Sequence, residues 1–159
     1  MAASDSNNPQ QDEARLTAMV QRWADGKATL RDVRGYSDEE LYAIAKTAYY
    51  FFYQGRVAEA RTLFQGLYAI NPADAYFAKA LGVVEMAAGN AQGALAAYDV
   101  ALKLDNRDAQ AYVGRAEVRL AMGQKAQAVE DLRRAVSLAP EEDPVARKAN
   151  AMIDALTRR

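Results

Sequence analysis

The hydrophobic positions of this chain repeat on two scales. Locally they fall three and four residues apart, the spacing of one helical face. Leu16, Met19, Val20 and Trp23 do so near the N-terminus, and Val145, Ala149, Met152, Ile153 and Leu156 near the C-terminus. Over a longer range the pattern returns every 34 residues: Gly55, Gly89 and Gly123 share that interval. Each glycine is followed by an alanine (Ala60, Ala94, Ala128), then by a bulky apolar residue (Phe64, Tyr98, Leu132), then by Pro72, Asn106 or Pro140. Four columns in one register over three units predict three stacked helical hairpins, at 41–74, 75–108 and 109–142. Small residues at Ala48, Gly82 and Ala116 face Ala60, Ala94 and Ala128, so paired helices can approach closely. The glycine between them ends each first helix in a left-handed conformation, and Pro72 and Pro140 stop second helices. A lone hairpin cannot bury its apolar face, so the units stack. Residues 11–159 then read as one all-α domain, with a leading helix at 11–25 and a helix at 144–158 covering the end of the array. Ser37 with Glu40 reads as a capping box. Residues 1–10 read as disordered.

Five consecutive aromatics, Tyr49 to Tyr53, interrupt this regularity. At ~100° per residue they divide into two stripes. Tyr42, Ala45, Tyr49, Phe52 and Tyr53 share one face, while Ile44, Ala48 and Phe51 share the opposite one. The second face occupies the packing columns, so Phe51 is expected inside the hairpin. The first is left over and is expected to face the concave side of the array. Tyr50 falls between the stripes with no assigned partner. The same groove columns hold Tyr76, Lys79, Val83 and Met86 in the second unit. In the third they hold Gln110, Val113, Glu117 and Leu120. The groove is thus expected to be aromatic at its N-terminal end and more polar towards its C-terminal end. Tyrosine and methionine suit binding, as amphipathic rings and an adaptable thioether.

Composition narrows the chemistry. The formal net charge is −1 with no cysteine and no histidine. Interleaved charges give no footprint for nucleic acid. Disulfides, most zinc-site designs and imidazole-dependent triads are excluded. No phosphate-binding loop, dinucleotide fingerprint or nucleophile–base pair is present, so neither a cofactor nor an enzyme is expected. No basic-then-apolar leader opens the chain. No apolar run approaches ~18 residues, so membrane insertion is not expected.

The 34-residue register resembles the tetratricopeptide repeat, which implies a right-handed superhelix of three such hairpins with flanking helices. The middle unit matches best, through Leu81-Gly82, Gly89, Ala94, Tyr98 and Ala101. The third departs at Arg115 and Arg119, where packing residues are usual. Ile44, Ala78 and Tyr112 stand where the repeat has tryptophan.

A leading helix, a loop ending in Ser37-Asp38-x-x-Leu41, "YQGRVAEARTLFQGL" and "LGVVEMAAGNAQGALAAYDVALKLD" together resemble the class II chaperones of bacterial type III secretion, the SycD/LcrH family. The resemblance implies a non-catalytic protein of the bacterial cytoplasm. It would keep hydrophobic translocator proteins soluble and unassembled before export by holding an extended segment in the groove. Carried over, the groove positions are Ala45, Tyr49, Phe52, Ile70, Leu81 and Tyr98, with Tyr42 and Tyr76 beside them. Ala45 departs from the aromatic often found there. The resemblance also implies a cargo-free homodimer formed through Leu16, Met19, Val20 and Trp23; intramolecular docking is the other role open to that stripe. The alternative function is a general scaffold in another bacterial complex. Arrays that grip a C-terminal carboxylate need Lys, Arg and Asn on the groove, and Ala45, Tyr49, Val83 and Val113 stand there instead.

Overall fold

Ser37 begins the first long helix as a reciprocal cap. Its hydroxyl accepts from the Glu40 amide at 3.2 Å, and its own amide donates to the Glu40 carboxylate at 2.9 Å. In the computed structural model the described residues are 30–158 and, before them, 14, 17, 18 and 22. Leu16, Met19, Val20 and Trp23 lie outside the described residues, as do residues 1–10. A short helix α1 (Leu30–Arg34) leads into α2 (Asp38–Tyr53) and α3 (Val57–Ile70), the first hairpin. The second is α4 (Ala75–Ala87) with α5 (Ala91–Leu104), the third α6 (Ala109–Ala121) with α7 (Lys125–Leu138), and α8 (Pro144–Thr157) follows. No strand occurs among the described residues, and the array is all-α.

Gly55, Gly89 and Gly123 turn each hairpin at φ 78°, 79° and 76°, a region where a Cβ is penalised. Aspartates open the first helices of the later units: Asp74, Asp108 and Asp143 each accept a backbone N–H of the following helix. Phe64 and Leu132 are fully buried and Tyr98 nearly so, as their shared column predicts. The small-residue columns Ala48, Ala60, Ala94, Ala116 and Ala128 are fully buried too.

Helix α2 corrects the two-stripe expectation. Its buried face is Leu41, Ala45 and Ala48, with Phe52 packed half-buried against the same core. This helix packs on both α3 and α4, so the covered arc is wider than a single hairpin partner would need. Phe51, expected inside, is only half-buried, and the Arg56 guanidinium lies 4.2 Å from its ring centroid.

Polar residues enter the core in networks. Glu85, 4% exposed, accepts from Arg61 at 2.9 Å, Gln65 at 3.1 Å and Asn90 at 2.7 Å. Burial pushes its carboxyl up, but the three hydrogen bonds and the Arg61 charge outweigh it and hold the pKa below the ordinary 4.5. A depressed carboxyl stabilises the fold above its unfolded pKa and loses that contribution as pH falls through the folded one. The melting temperature should therefore drop with acidification below about pH 4.5. Glu85→Gln should flatten that acid limb, and superimposable limbs for the two proteins would refute this role.

The C-terminal helix does more than close the array. It packs on α7 and also reaches α6, as a first helix of a further unit would. The sequence carried a signal for this: the capping aspartates Asp74, Asp108 and Asp143 continue the repeat spacing to within one residue.

Candidate functional site

The first helices α2, α4, α6 and α8 succeed one another along one side of the array. At its N-terminal end they present a wall of tyrosines. Tyr42 and Tyr76 meet edge-on with centroids 5.3 Å apart. Tyr49 lies 6.2 Å from both Tyr76 and Tyr53, and Phe52 is 5.7 Å from Tyr53. Behind the wall, Tyr49 rests edge-on upon the buried Phe64 at 4.9 Å. Tyr53 is 81% exposed and Tyr42 42%, while Tyr49 and Tyr76 are half-buried. The two exposed rings are thus joined into one aromatic surface through the half-buried pair.

Asp74 fixes this wall with both oxygens. One caps α4 through the Tyr76 amide at 2.9 Å, and the other accepts the Tyr42 hydroxyl at 2.8 Å. That hydrogen bond, followed by burial and the Asp74 charge, raises the Tyr42 phenol to about 12. Burial chiefly pushes Tyr49 up, with the neighbouring Tyr76 and Tyr53 adding to it. The device recurs one unit on. Asp108 caps α6 through the Ala111 amide at 3.0 Å, and its second oxygen pairs with Lys79 at 2.6 Å. Each aspartate thus ties a groove side chain of the preceding first helix to the next helix.

Towards the C-terminus the surface deepens into a cleft of about 330 Å³. Val83, Tyr98, Val113 and Gly114 line it with Gln110, Glu117, Pro144, Val145 and Lys148. Lys148 pairs with Glu117 at 2.6 Å across α6 and α8. Tyr98 belongs to a second helix yet reaches this side because two first-helix positions are glycine. A Cβ at Gly82 would stand 2.9 Å from its ring, and one at Gly114 would collide with the ring and hydroxyl. Burial, then the Glu117 and Asp108 charges, raise the Tyr98 phenol.

The expected site residues therefore separate. Tyr42, Tyr49, Tyr53 and Tyr76 form the wall with Phe52 at its edge, and Val83, Tyr98 and Val113 form the cleft. Met86 is half-buried against the core that Val83 also joins. Ala45 presents no surface at all; flanked at helical spacing by Tyr42 and Tyr49, its short side chain ends in the core. Ile70, the last residue of α3, packs half-buried against that core. Leu81 lies elsewhere, lining a separate cleft of about 240 Å³ with Tyr68, Gly93 and Val100 on the second helices. Five residues after Tyr76, it stands ~140° around the helix. The spacing does not point to Val145, Lys148 or Gly114: α8 is expected only to cover the end of the array, and Gly114 has no counterpart in the glycine columns of the repeat.

The tetratricopeptide repeat profile matches residues 45–109 and again 81–144, well over half of the chain. The chain belongs to the tetratricopeptide repeat family. No curated protein sequence matches it. Among solved structures, the tetratricopeptide array is similar to the type III secretion translocator chaperone SycD of Yersinia enterocolitica. Identity is 24% over 80% of this chain and 98% of that one, with a TM-score of 0.75. It is also similar to PcrH in complex with the chaperone binding region of PopD, at 25% identity over 77% and 95% of the two chains and a TM-score of 0.72; PcrH is from Pseudomonas aeruginosa. A type III secretion complex from Aeromonas hydrophila matches at 24% identity, 88% and 95% coverage and a TM-score of 0.79. The array thus has the fold of the translocator chaperones. Among the described residues no helix is long and apolar enough to cross a membrane.

Proposed function

We propose that this protein is a type III secretion chaperone that holds an extended apolar segment of a translocator protein along the groove. Cargo so bound stays soluble and unassembled in the bacterial cytoplasm before export. The observation behind this reading is the continuity of the surface. Tyrosine rings of α2 and α4, exposed at Tyr42 and Tyr53 and half-buried at Tyr49 and Tyr76, lead to the cleft between α4, α6 and α8, a path that an extended chain can follow. Likeness to SycD and to PcrH bound to part of PopD supports it. Each cargo side chain well buried there contributes ~1.5–3 kcal/mol, offset by the cost of ordering a flexible segment. The role is binding, with no chemistry assigned to the groove.

Co-expression with a translocator should keep that partner in the soluble fraction and co-purify it. Aromatic anchors dominate such interfaces, so Tyr53→Ala and Tyr42→Ala should each weaken a translocator peptide by about tenfold, ~1.4 kcal/mol. The thermal melt of Tyr53→Ala should barely move, since its ring is largely exposed, whereas Tyr42→Ala also loses the tie to Asp74 and should melt slightly earlier. Leu81→Ala, on the other face, should leave affinity unchanged. Equal loss of affinity in Leu81→Ala and Tyr53→Ala would show the groove to be the wrong surface. A translocator that stays insoluble, alongside capture of unrelated folded proteins, would favour the general scaffold.

A further inference from the structure

The repeat register exposes a place where one helix is missing from the described array. In the second unit Phe77, Ala80 and Val84 are fully buried, within the core they share with α2 and α3. In the third the same columns are Ala111, Gly114 and Val118, all buried, and Ala111 and Val118 pack with α5 residues of the preceding hairpin. Subtracting 34 from 77, 80 and 84 gives Ala43, Lys46 and Tyr50 on α2. All three are exposed, Tyr50 to 60%. A face that packs against a preceding second helix in two units stands open in the first. Phe51 follows the same logic: it is half-buried where its counterpart Glu85 is almost wholly covered, partly by Arg61 and Gln65 of the preceding helix.

We propose that this face is the docking site for the chain's own N-terminal segment 12–25, which takes the place of a preceding second helix. The stripe Leu16, Met19, Val20 and Trp23 supplies the apolar face that such a helix needs. As a helix, 14 residues would extend ~21 Å, close to the ~24 Å of the 16-residue α2. The six residues between Trp23 and Leu30 can span ~20 Å, enough for the segment to lie antiparallel beside α2. Trp23 then sits nearest Ala43 and Leu16 nearest Tyr50. Lys46 crosses the contact with its aliphatic stem inside and its ammonium at the rim. Tyr50 acquires a partner on the side of α2 away from the cargo groove.

Trp23 is the only tryptophan, so its fluorescence reports the contact directly in the full chain. Expected for the cargo-free protein are a blue-shifted emission and protection from acrylamide, both unchanged on dilution to a sedimentation-verified monomer. Tyr50→Arg should red-shift the emission and abolish the protection while far-UV helicity persists. Tyr53→Arg, in the groove, should do neither. If Tyr50→Arg does not fold, Ala43→Arg tests the same face. Protection lost when a dimer dissociates would overturn the proposal in favour of a second copy, and protection lost in Tyr53→Arg would place the stripe in the groove. Exposed Trp23 in the unmodified monomer would overturn it outright. Translocator binding is a separate readout, so the chaperone reading and this one fail independently.

Discussion

Phe64→Ala is expected to cost ~3–5 kcal/mol of stability, and to loosen the groove at the same time. Phe64 is fully buried in the core shared by α2, α3 and α4. Its removal deletes a large side chain and leaves a cavity that these helices can only partly close. For a chain of this size each kcal/mol lowers the melting temperature by roughly 2–4 °C, so a fall of order 10 °C should appear in a thermal melt. The same ring supports Tyr49 from behind at 4.9 Å, so peptide affinity should fall with stability. Phe51→Ala should cost clearly less, because Phe51 already meets solvent and Arg56. A Phe51→Ala melt displaced as far as that of Phe64→Ala would contradict this ordering.

Asp131→Ala is expected to rival it, by a different mechanism. Asp131 is 3% exposed and accepts from Arg115 at 2.7 and 3.0 Å and from Arg119 at 2.8 Å. Arg115 also reaches Asp99 at 2.8 Å, whereas Nε of Arg119 is buried with no hydrogen-bond partner. Removing the carboxylate leaves Arg119, 19% exposed, without a counter-charge and Arg115, 17% exposed, with Asp99 alone. Breaking such a pair from one side costs ~3 kcal/mol or more. One unit earlier the columns of Arg115 and Asp131 hold Leu81 and Ala97, an apolar solution to the same contact. The double variant Arg115→Leu/Asp131→Ala should therefore recover part of the loss, with Arg119 still short of a partner. Denaturant midpoints of the wild type, both single variants and the double close the cycle. A double variant no more stable than Asp131→Ala would show that the cost is not one of an orphaned charge.

These two residues mark the limits of what the chain discloses on its own. Phe64 could be identified as core from its column alone, because Tyr98 and Leu132 repeat its spacing. Asp131 could not. Arg115 and Arg119 look like defects in a weak third repeat until α5 and α7 bring carboxylates to them. Groove residues divide in the same way. The rings of Tyr42, Tyr49 and Tyr53 were readable from helical phase, since side-chain direction follows backbone rotation. Ala45 and Leu81 were misplaced because a column gives an angle about one helix and no account of how many neighbours cover it. Tyr98 reaches the groove only through gaps at Gly82 and Gly114, and such a path exists only once three helices are assembled.

The sequence by itself determined the periodic features: the 34-residue hairpins, the left-handed glycines at their turns, the Ser37 cap and the aromatic face of α2. Each depends on residues a few positions apart, whose geometry is set by local backbone physics. Only the tertiary structure decided which aromatics are covered, where the buried charges find partners, and how α8 lengthens the groove. Those outcomes depend on distances between helices, and no spacing along one chain encodes them.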